Sequence, residues 1–106
     1  MCSYNAVNGI PSCASSWLIQ DVLRDYYGFG EDRWVTGDCG AVANVFDGHH
    51  YAESYMVGAA ASIKAGTDLD CGGIFNVYLP EALSQGLISV DDLKTALVRQ
   101  YISLVR

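Results

Sequence analysis

The order of the predicted secondary-structure elements constrains the fold of this chain more than any other feature. Three short β-prone segments, at 1–4, 34–36 and 67–70, alternate with helical patterns. Such alternation is typical of parallel strands joined by crossover helices. The connecting segments 5–12 and 44–50 are predicted to be loops, the first because it is rich in Asn, Gly, Pro and Ser. We therefore predict an α/β fold with about three parallel strands.

The first two helical patterns have recognisable ends. Ser15 or Ser16 is suited to cap the first helix, and Gly28 closes it. The second pattern is rich in small residues and runs from about Tyr51 to Gly66. The apolar face that the spacing predicts for the first helix consists of Leu18, Ile19, Val22, Leu23 and Tyr26.

The last two helical patterns follow the third strand directly. One covers roughly residues 77–85, and Pro80 is predicted to lie in its first turn. The other begins after Ser89, a capping residue, and Asp92 suits the positive end of its dipole. The apolar face predicted for this last helix consists of Val90, Leu93, Leu97, Tyr101 and Leu104.

The predicted sheet has unusual edges for a complete domain. Its strands are short, the first begins at the first residue, and both edges lack a neighbouring strand. Parallel sheets normally have more strands than this and are covered on both faces. We therefore expect the fold to be incomplete as it stands.

The charge balance narrows the classes of partner. Lys and Arg number 6 against 12 Asp and Glu, which gives a formal net charge of −6. A chain this acidic repels phosphate backbones, so we expect no nucleic-acid partner. No apolar run approaches the roughly 18–20 residues that span a bilayer, and the first residues lack the pattern of a signal peptide. We expect no membrane partner.

The four cysteines, Cys2, Cys13, Cys39 and Cys71, include no C-x-x-C pair, which argues against a zinc ribbon or a thioredoxin-type motif. Four cysteines allow two disulfide bonds in three connectivities. Four buried thiols that pack as small apolar side chains are an equally good interpretation.

Polar residues follow each predicted strand. These residues are Tyr4 with Asn5, Asp38 with Cys39, and the segment 68–71. The carboxyl ends of parallel strands meet at one edge, where such folds carry their chemistry. Asp38 has small neighbours that let a ligand approach, although a strand-end Asp can also simply cap a turn.

Other candidate sites are weaker. His49 and Glu53 could share a helix face as two metal ligands, but no third ligand is apparent, and such residues are commonly polar surface. Asp68 and Asp70 are two apart on a strand, and we expect one of them to be structural, so that they do not act as a pair. No glycine-rich nucleotide loop is complete. We expect no metal and no cofactor.

Four motifs together resemble glycoside hydrolase family three, in its β-xylosidase and α-arabinofuranosidase branch. They cover essentially the whole chain in the family's order. The motifs are Met1-Cys2-Ser3-Tyr4-Asn5-Ala6-Val7-Asn8-Gly9, Leu23-Arg24-Asp25 with Tyr27-Gly28-Phe29, Gly37-Asp38-Cys39-Gly40-Ala41-Val42, and Ala65-Gly66-Thr67-Asp68-Leu69-Asp70-Cys71-Gly72.

The resemblance implies a fold and a reaction. The fold is the C-terminal part of a (β/α)8 TIM-type barrel, and the reaction is retaining hydrolysis with Asp38 as the nucleophile. Tyr4 matches a family position near the nucleophile and is a candidate hydrogen-bond donor to Asp38. Cys39 stands where many β-glucosidases of the family have Trp, which favours a xylo-oligosaccharide or arabinoside substrate. Gly37 departs from the family's usual Ser.

The resemblance also implies what lies outside residues 1–106. The family's acid/base Glu belongs to a later domain, and the sugar-gripping Lys, His and Arg belong to earlier strands of the barrel. We therefore expect a segment of an extracellular or cell-wall-associated enzyme that is inactive by itself. The alternative is a non-catalytic remnant that binds carbohydrate or has a structural role.

The strand arrangement that the resemblance implies bears on the cysteines. Cys39 and Cys71 fall just past the ends of neighbouring strands, so a disulfide bond between them is geometrically reasonable. Cys2 and Cys13, at a strand end and in the loop that follows, would form the other pair. Both pairings are hypotheses.

Overall fold

A computed structural model describes all residues, Met1–Arg106. One helix, Trp17–Tyr26, is of the π type, and short 3-10 turns cover Ser12–Ala14 and Ala43–Val45. The other elements are the strands β1 (Ala6–Val7) and β2 (Ile10–Pro11) and the helices α1 (Tyr55–Ala65), α2 (Ile74–Ser84) and α3 (Val90–Val105). The fold is thus mixed, with helices around a small amount of sheet.

The three predicted strands lie side by side in parallel, but each pairing is a single bridge. Cys2 bridges Gly37, and Thr36 bridges Leu69. The three strands are therefore much shorter than predicted, although their parallel arrangement is as predicted. The middle segment stops at once because the chain turns, with the Ala41 amide donating to the Asp38 carbonyl at 2.8 Å.

The only two-stranded sheet lies in a segment that we predicted to be a loop. In it β1 and β2 pair in an antiparallel hairpin, with Val7 opposite Ile10. The turn residues Asn8 and Gly9 have φ angles of 52° and 79°. Positive φ at both positions is the geometry of a tight hairpin turn that Asn-Gly favours, and this dipeptide was the missed signal.

The π-helix begins where predicted, with Ser15 as its capping residue. The Leu18 amide donates to the Ser15 hydroxyl at 3.2 Å, so Ser15 rather than Ser16 caps the helix. Ile19 is buried, as predicted, but Tyr26 is 81% exposed and does not belong to the apolar face. The π-helix has wider i to i+5 turns, such as the bond from the Tyr27 amide to the Val22 carbonyl. Its last side chains therefore point in other directions than a 3.6-residue period predicts.

Capping residues explain why α1 starts later than predicted. The Val57 amide donates to the Ser54 hydroxyl at 3.1 Å, so the helix begins at Tyr55 and not near Tyr51. It ends as predicted at Gly66, which has a φ of 113°. That left-handed conformation favours glycine.

The start of α2 differs from the prediction in the opposite direction. The Asp70 carboxylate accepts hydrogen bonds from the amides of Ile74 at 2.8 Å and Phe75 at 3.1 Å. This cap starts the helix at Ile74 and places Pro80 in its interior rather than in its first turn.

The capping box predicted for α3 is present, but the apolar face is wrong. Ser89 and Asp92 bond to each other's backbone amides. Ala96 and Arg99 are the buried residues of the helix, because Ala96 packs in the helical core and Arg99 reaches the buried Asp68. Most of the predicted face is consequently exposed, with Val90, Leu97, Tyr101 and Leu104 all about half or more accessible.

The apolar core is divided into three clusters. The largest joins the three α-helices through Ala59, Ala60, Ile63, Leu79, Ala82, Ile88 and Ala96. The second packs under the bridged segments and comprises Cys2, Cys13, Ala41 and Val42, and the third comprises Ile19, Val35 and Ala65. None of the helices is both long and apolar enough to span a membrane.

Candidate active site

Asp38 lies directly after the middle bridged segment, at its carboxyl end. Its amide donates to the Cys2 carbonyl at 2.8 Å, which fixes its backbone to the first segment. Its half-buried carboxylate accepts a hydrogen bond from the Cys39 amide at 2.8 Å. The backbone therefore holds this carboxylate in one orientation while part of it stays accessible.

Tyr4 lies beside Asp38, and its hydroxyl also bonds to the loop that follows Asp38. The Tyr4 hydroxyl donates to the Cys39 carbonyl at 2.8 Å. Desolvation by the surrounding protein, and then the neighbouring Asp38 carboxylate, raise the pKa of Tyr4. The phenol therefore stays protonated and remains a donor next to Asp38 at neutral pH.

His49 belongs to the same cluster, a role that the sequence did not reveal. Its Nε2 atom lies 2.6 Å from the Tyr4 carbonyl oxygen. A carbonyl oxygen only accepts, so Nε2 carries the proton in this contact. Within the chain, no group of three or more His, Cys, Asp or Glu side chains is placed to hold a metal ion.

The structure joins all four cysteines in two disulfide bonds. Cys39 is bonded to Cys71, and Cys2 is bonded to Cys13, which are the pairs that the resemblance implied. The Gly40 amide also donates to the Cys71 carbonyl at 2.9 Å. The loop that carries Asp38 is therefore fastened both covalently and by a backbone bond to the loop after the third segment.

Gly37 fits closely against this arrangement. A Cβ atom at this position would lie 3.3 Å from Val42 Cγ2 and 3.6 Å from Cys13 Sγ. At this position, where the resemblance implies Ser, the space for a side chain is taken up by Val42 and by the disulfide bond of Cys13.

Asp68 does not share the edge with Asp38, contrary to the expected convergence. Its buried carboxylate lies 3.1 Å from both Arg24 and Arg99 and accepts from the Val35 amide at 2.9 Å. Burial raises the pKa of Asp68, and the Val35 amide and the two guanidinium groups oppose that rise. The sequence did not predict the two arginines as its partners.

Asp70 also has a structural contact. Its Oδ2 atom caps α2, while its Oδ1 atom is buried without a hydrogen-bond partner. Asp68 and Asp70 thus do not act as a pair, as expected, because Asp68 binds two arginines and Asp70 caps α2, although residues two apart share a face on a regular strand.

The polar edge is therefore built by Tyr4, Asp38, Cys39, His49 and Cys71. A cavity of about 320 Å³ lies along the first segment, but Asp38 does not line it. An accessible carboxylate in a fixed orientation beside a phenol is suited to nucleophilic attack or to stabilising positive charge.

Comparison with known proteins shows strong similarity over the whole chain. No protein-family model matches it. The exo-1,4-beta-xylosidase bxlB of Emericella nidulans is 55% identical over 107 aligned residues, which cover 100% of this chain and 14% of that protein.

Two solved structures agree with this similarity. The GH3 exo-beta-xylosidase XlnD, in complex with a xylobiose aziridine activity-based probe, superposes with a TM-score of 0.93 at 44% identity, covering 99% of this chain and 14% of that one. A beta-glucosidase from Listeria innocua in complex with isofagomine gives 0.81 at 34% identity, covering 90% and 13%. The chain thus spans about one seventh of the length of these relatives. The chain belongs to glycoside hydrolase family three.

Proposed function

We propose that these residues are part of a retaining glycoside hydrolase that cleaves β-xylosides, with Asp38 as its nucleophile. The observation that carries the proposal is the Asp38 carboxylate, oriented by the Cys39 amide at a strand end and accessible to a ligand. Its support from comparison is that a relative with 55% identity is named an exo-1,4-beta-xylosidase.

The proposed reaction has two displacements. An Asp38 oxygen attacks the anomeric carbon, and the bond from that carbon to the leaving oxygen breaks as a second carboxyl donates its proton to that oxygen. The same carboxyl then takes a proton from water, which attacks the anomeric carbon and releases Asp38. Retaining enzymes need the two carboxyl groups about 5–5.5 Å apart. We place the second carboxyl in a later domain of the longer chain.

Tyr4 and Cys39 are the proposed contacts to the sugar. The Tyr4 phenol lies beside Asp38, and its raised pKa keeps its proton available. Cys39 is tied to Cys71, so its side chain is a compact disulfide rather than the indole expected in many β-glucosidases of the family. We propose a xylo-oligosaccharide substrate, with an arabinoside as the second choice.

The proposed parent fold and location follow from the same features. The parallel bridges form part of a (β/α)8 barrel, a fold that carries its active site at the carboxyl ends of its strands. Two disulfide bonds favour an oxidising compartment, so we place the enzyme outside the cell or at the cell wall.

Hydrolysis of an aryl β-xyloside by the full-length enzyme that contains this segment tests the proposal. We expect Asp38→Ala to lose at least roughly 10⁴-fold in kcat, and the exposed Asp25→Asn control to keep it. Proton NMR of the first product should show β-xylose before mutarotation. An initial α-product, or full activity in Asp38→Ala, contradicts the proposal.

The 106-residue chain alone should hydrolyse nothing measurable, because the proposed proton donor lies outside it. The measurement is turnover of the same aryl xyloside by the pure chain. Turnover that Asp38→Ala abolishes would show that the chain supplies its own acid. A cooperative thermal transition together with sugar binding but no turnover would favour the non-catalytic alternative.

A further inference from the structure

We propose that His49 is a positioning residue for the Asp38 site, acting through Tyr4. The inference rests on the proposed function, since it assigns the support of the proposed nucleophile. His49 holds the backbone of Tyr4, and Tyr4 in turn holds the carbonyl of Cys39, the residue whose amide orients the Asp38 carboxylate.

Tyr4 contacts both ends of the segment 39–49. Its hydroxyl donates to the Cys39 carbonyl at 2.8 Å, and its carbonyl accepts from His49 Nε2 at 2.6 Å. Tyr4 thus links the two ends of the segment 39–49 by hydrogen bonds. Movement of Tyr4 releases the carbonyl of Cys39 and so frees the backbone of the residue whose amide donates to Asp38.

The contact is needed because the first segment stops pairing before Tyr4. Cys2 is bridged to the middle segment, and its amide and carbonyl bond to Thr36 and Asp38. Beyond that bridge, the Tyr4 carbonyl meets the His49 ring instead of a neighbouring strand. The backbone of Tyr4 is therefore fixed by a side chain, and a single substitution can release it.

The backbone of His49 is itself held firmly. Its amide donates to the Asn44 carbonyl at 2.8 Å, and the next amide, of His50, donates to Phe46 at 3.0 Å. The carbonyl of Val45, a fully buried residue, accepts from Tyr51 at 3.0 Å. This turn presents the imidazole to Tyr4 from a rigid base, which is what a positioning contact requires.

The chemistry of the donor suggests a matched set of variants. The amide nitrogen of Gln reaches about as far as His Nε2 and donates a hydrogen bond, whereas the Asn nitrogen corresponds to Nδ1 and falls short. Leu fills similar space but has no donor. His50 is the matched control, because it is the adjacent exposed histidine, and Asn there tolerates its φ of 53°.

The experiment compares His49→Leu, His49→Asn, His49→Gln and His50→Asn in the full-length enzyme, with kcat and KM on an aryl β-xyloside. We expect kcat to fall about 10- to 100-fold in the Leu and Asn variants, because the nucleophile is misaligned, and KM to rise by less than this, because Tyr4 is also a proposed contact to the sugar. The kcat of the Gln variant should be within about threefold of the wild-type value. The kcat of His50→Asn should equal that of the wild type.

Rescue by Gln separates positioning from a general structural role. Wild-type kcat in His49→Leu or His49→Asn, or a Gln variant as slow as Leu, overturns the inference. If the Leu variant does not fold, the Gln and Asn variants make the same test. Loss of the proposed function is distinguishable, because it would appear as an inactive wild type or an active Asp38→Ala.

Discussion

Asp38 and Asp68 lie in neighbouring parallel-bridged segments, yet their carboxylates have opposite surroundings. Asp38 is half-buried, and its carboxylate accepts a hydrogen bond from the Cys39 amide. Asp68 is 4% exposed and is contacted by Arg24, Arg99 and the Val35 amide. The two side chains are chemically identical, so their different roles come from the fold around them.

The difference separates an accessible carboxylate, that of the proposed nucleophile Asp38, from an enclosed one, that of Asp68. The Asp68 carboxylate is occupied by two cations and ties the π-helix and α3 to the third segment. A carboxylate so enclosed is inaccessible to a substrate. The Asp38 carboxylate keeps an accessible face because the groups around it, Tyr4, Cys39 and His49, bond mainly to one another's backbone.

The sharpest way to break this comparison is to remove each carboxylate. Asp68→Ala leaves the buried Arg24 guanidinium without an anion and Arg99 with Glu31 as its remaining partner, and we expect a loss of about 3–5 kcal/mol in the free energy of unfolding. Asp38→Ala should change it by no more than about 0.5 kcal/mol. Chemical denaturation of the full-length enzyme measures both. An equal loss in the two variants would contradict the separation.

The two disulfide bonds offer a second comparison between the regions. Cys39–Cys71 closes a separation of 32 residues and Cys2–Cys13 one of 11. Chain-entropy arguments predict losses of about 4 and about 3 kcal/mol when each pair is replaced by serines. The first replacement should also lower kcat more than the second, because it unfastens the loop that carries Asp38, whereas Cys2 contacts Asp38 only through its backbone carbonyl. Chemical denaturation of the two double variants measures the stability losses, and steady-state kinetics measures kcat. Equal losses of kcat in the two variants would contradict the prediction.

Two glycines with left-handed φ compare a crowded and an open position. A Cβ on Gly66 would lie 2.7 Å from Ile19 Cγ2 and 2.6 Å from Gln20 Nε2, whereas Gly40, beside Cys39, has nothing within 4 Å. Alanine at Gly40 should cost about 1 kcal/mol for the backbone alone. Alanine at Gly66 should cost about 2–3 kcal/mol more, because the helix must also move. Thermal denaturation should order the variants accordingly; the reverse order would show that the packing is misassigned.

The smallest expected effect is on the ionisation of Tyr4. The Asp38 carboxylate contributes to its raised pKa, second to desolvation. Asp38→Asn removes that negative charge, so the pKa of Tyr4 should fall and the phenolate should form at lower pH than in the wild type. The difference between the two alkaline absorbance titrations measures this, with Tyr4→Phe as the control that removes it. If the two titrations did not differ, the Asp38 carboxylate would be too far from Tyr4 to affect its pKa.

Local signals in the sequence predicted much of the framework. The capping box at Ser89 and Asp92, the helix end at Gly66 and the parallel order of the three segments depend on neighbouring residues or on alternation, and the structure has them. The Asn8-Gly9 hairpin was equally local and could have been predicted from that dipeptide.

The remaining features depend on tertiary contacts that spacing does not encode. The outer face of α3 has an apolar pattern, but Arg99 turns toward Asp68 and leaves residues such as Leu104 exposed. The contact from His49 to the Tyr4 carbonyl joins residues 45 positions apart and involves a backbone atom, so no side-chain motif announces it. The strand-end pattern already indicated Asp38 and Tyr4 as candidate site residues, but a strand-end Asp can also cap a turn, and their roles were implied only by the family resemblance.

Covalent trapping most directly tests the claim that Asp38 is the reactive carboxylate and Asp68 the structural one. The full-length enzyme would be treated with a xylose-configured aziridine probe, digested and sequenced by tandem mass spectrometry. We expect a single adduct on Asp38, which is lost in Asp38→Asn. An adduct on any other carboxylate of this segment, or an unchanged adduct in Asp38→Asn, would contradict it.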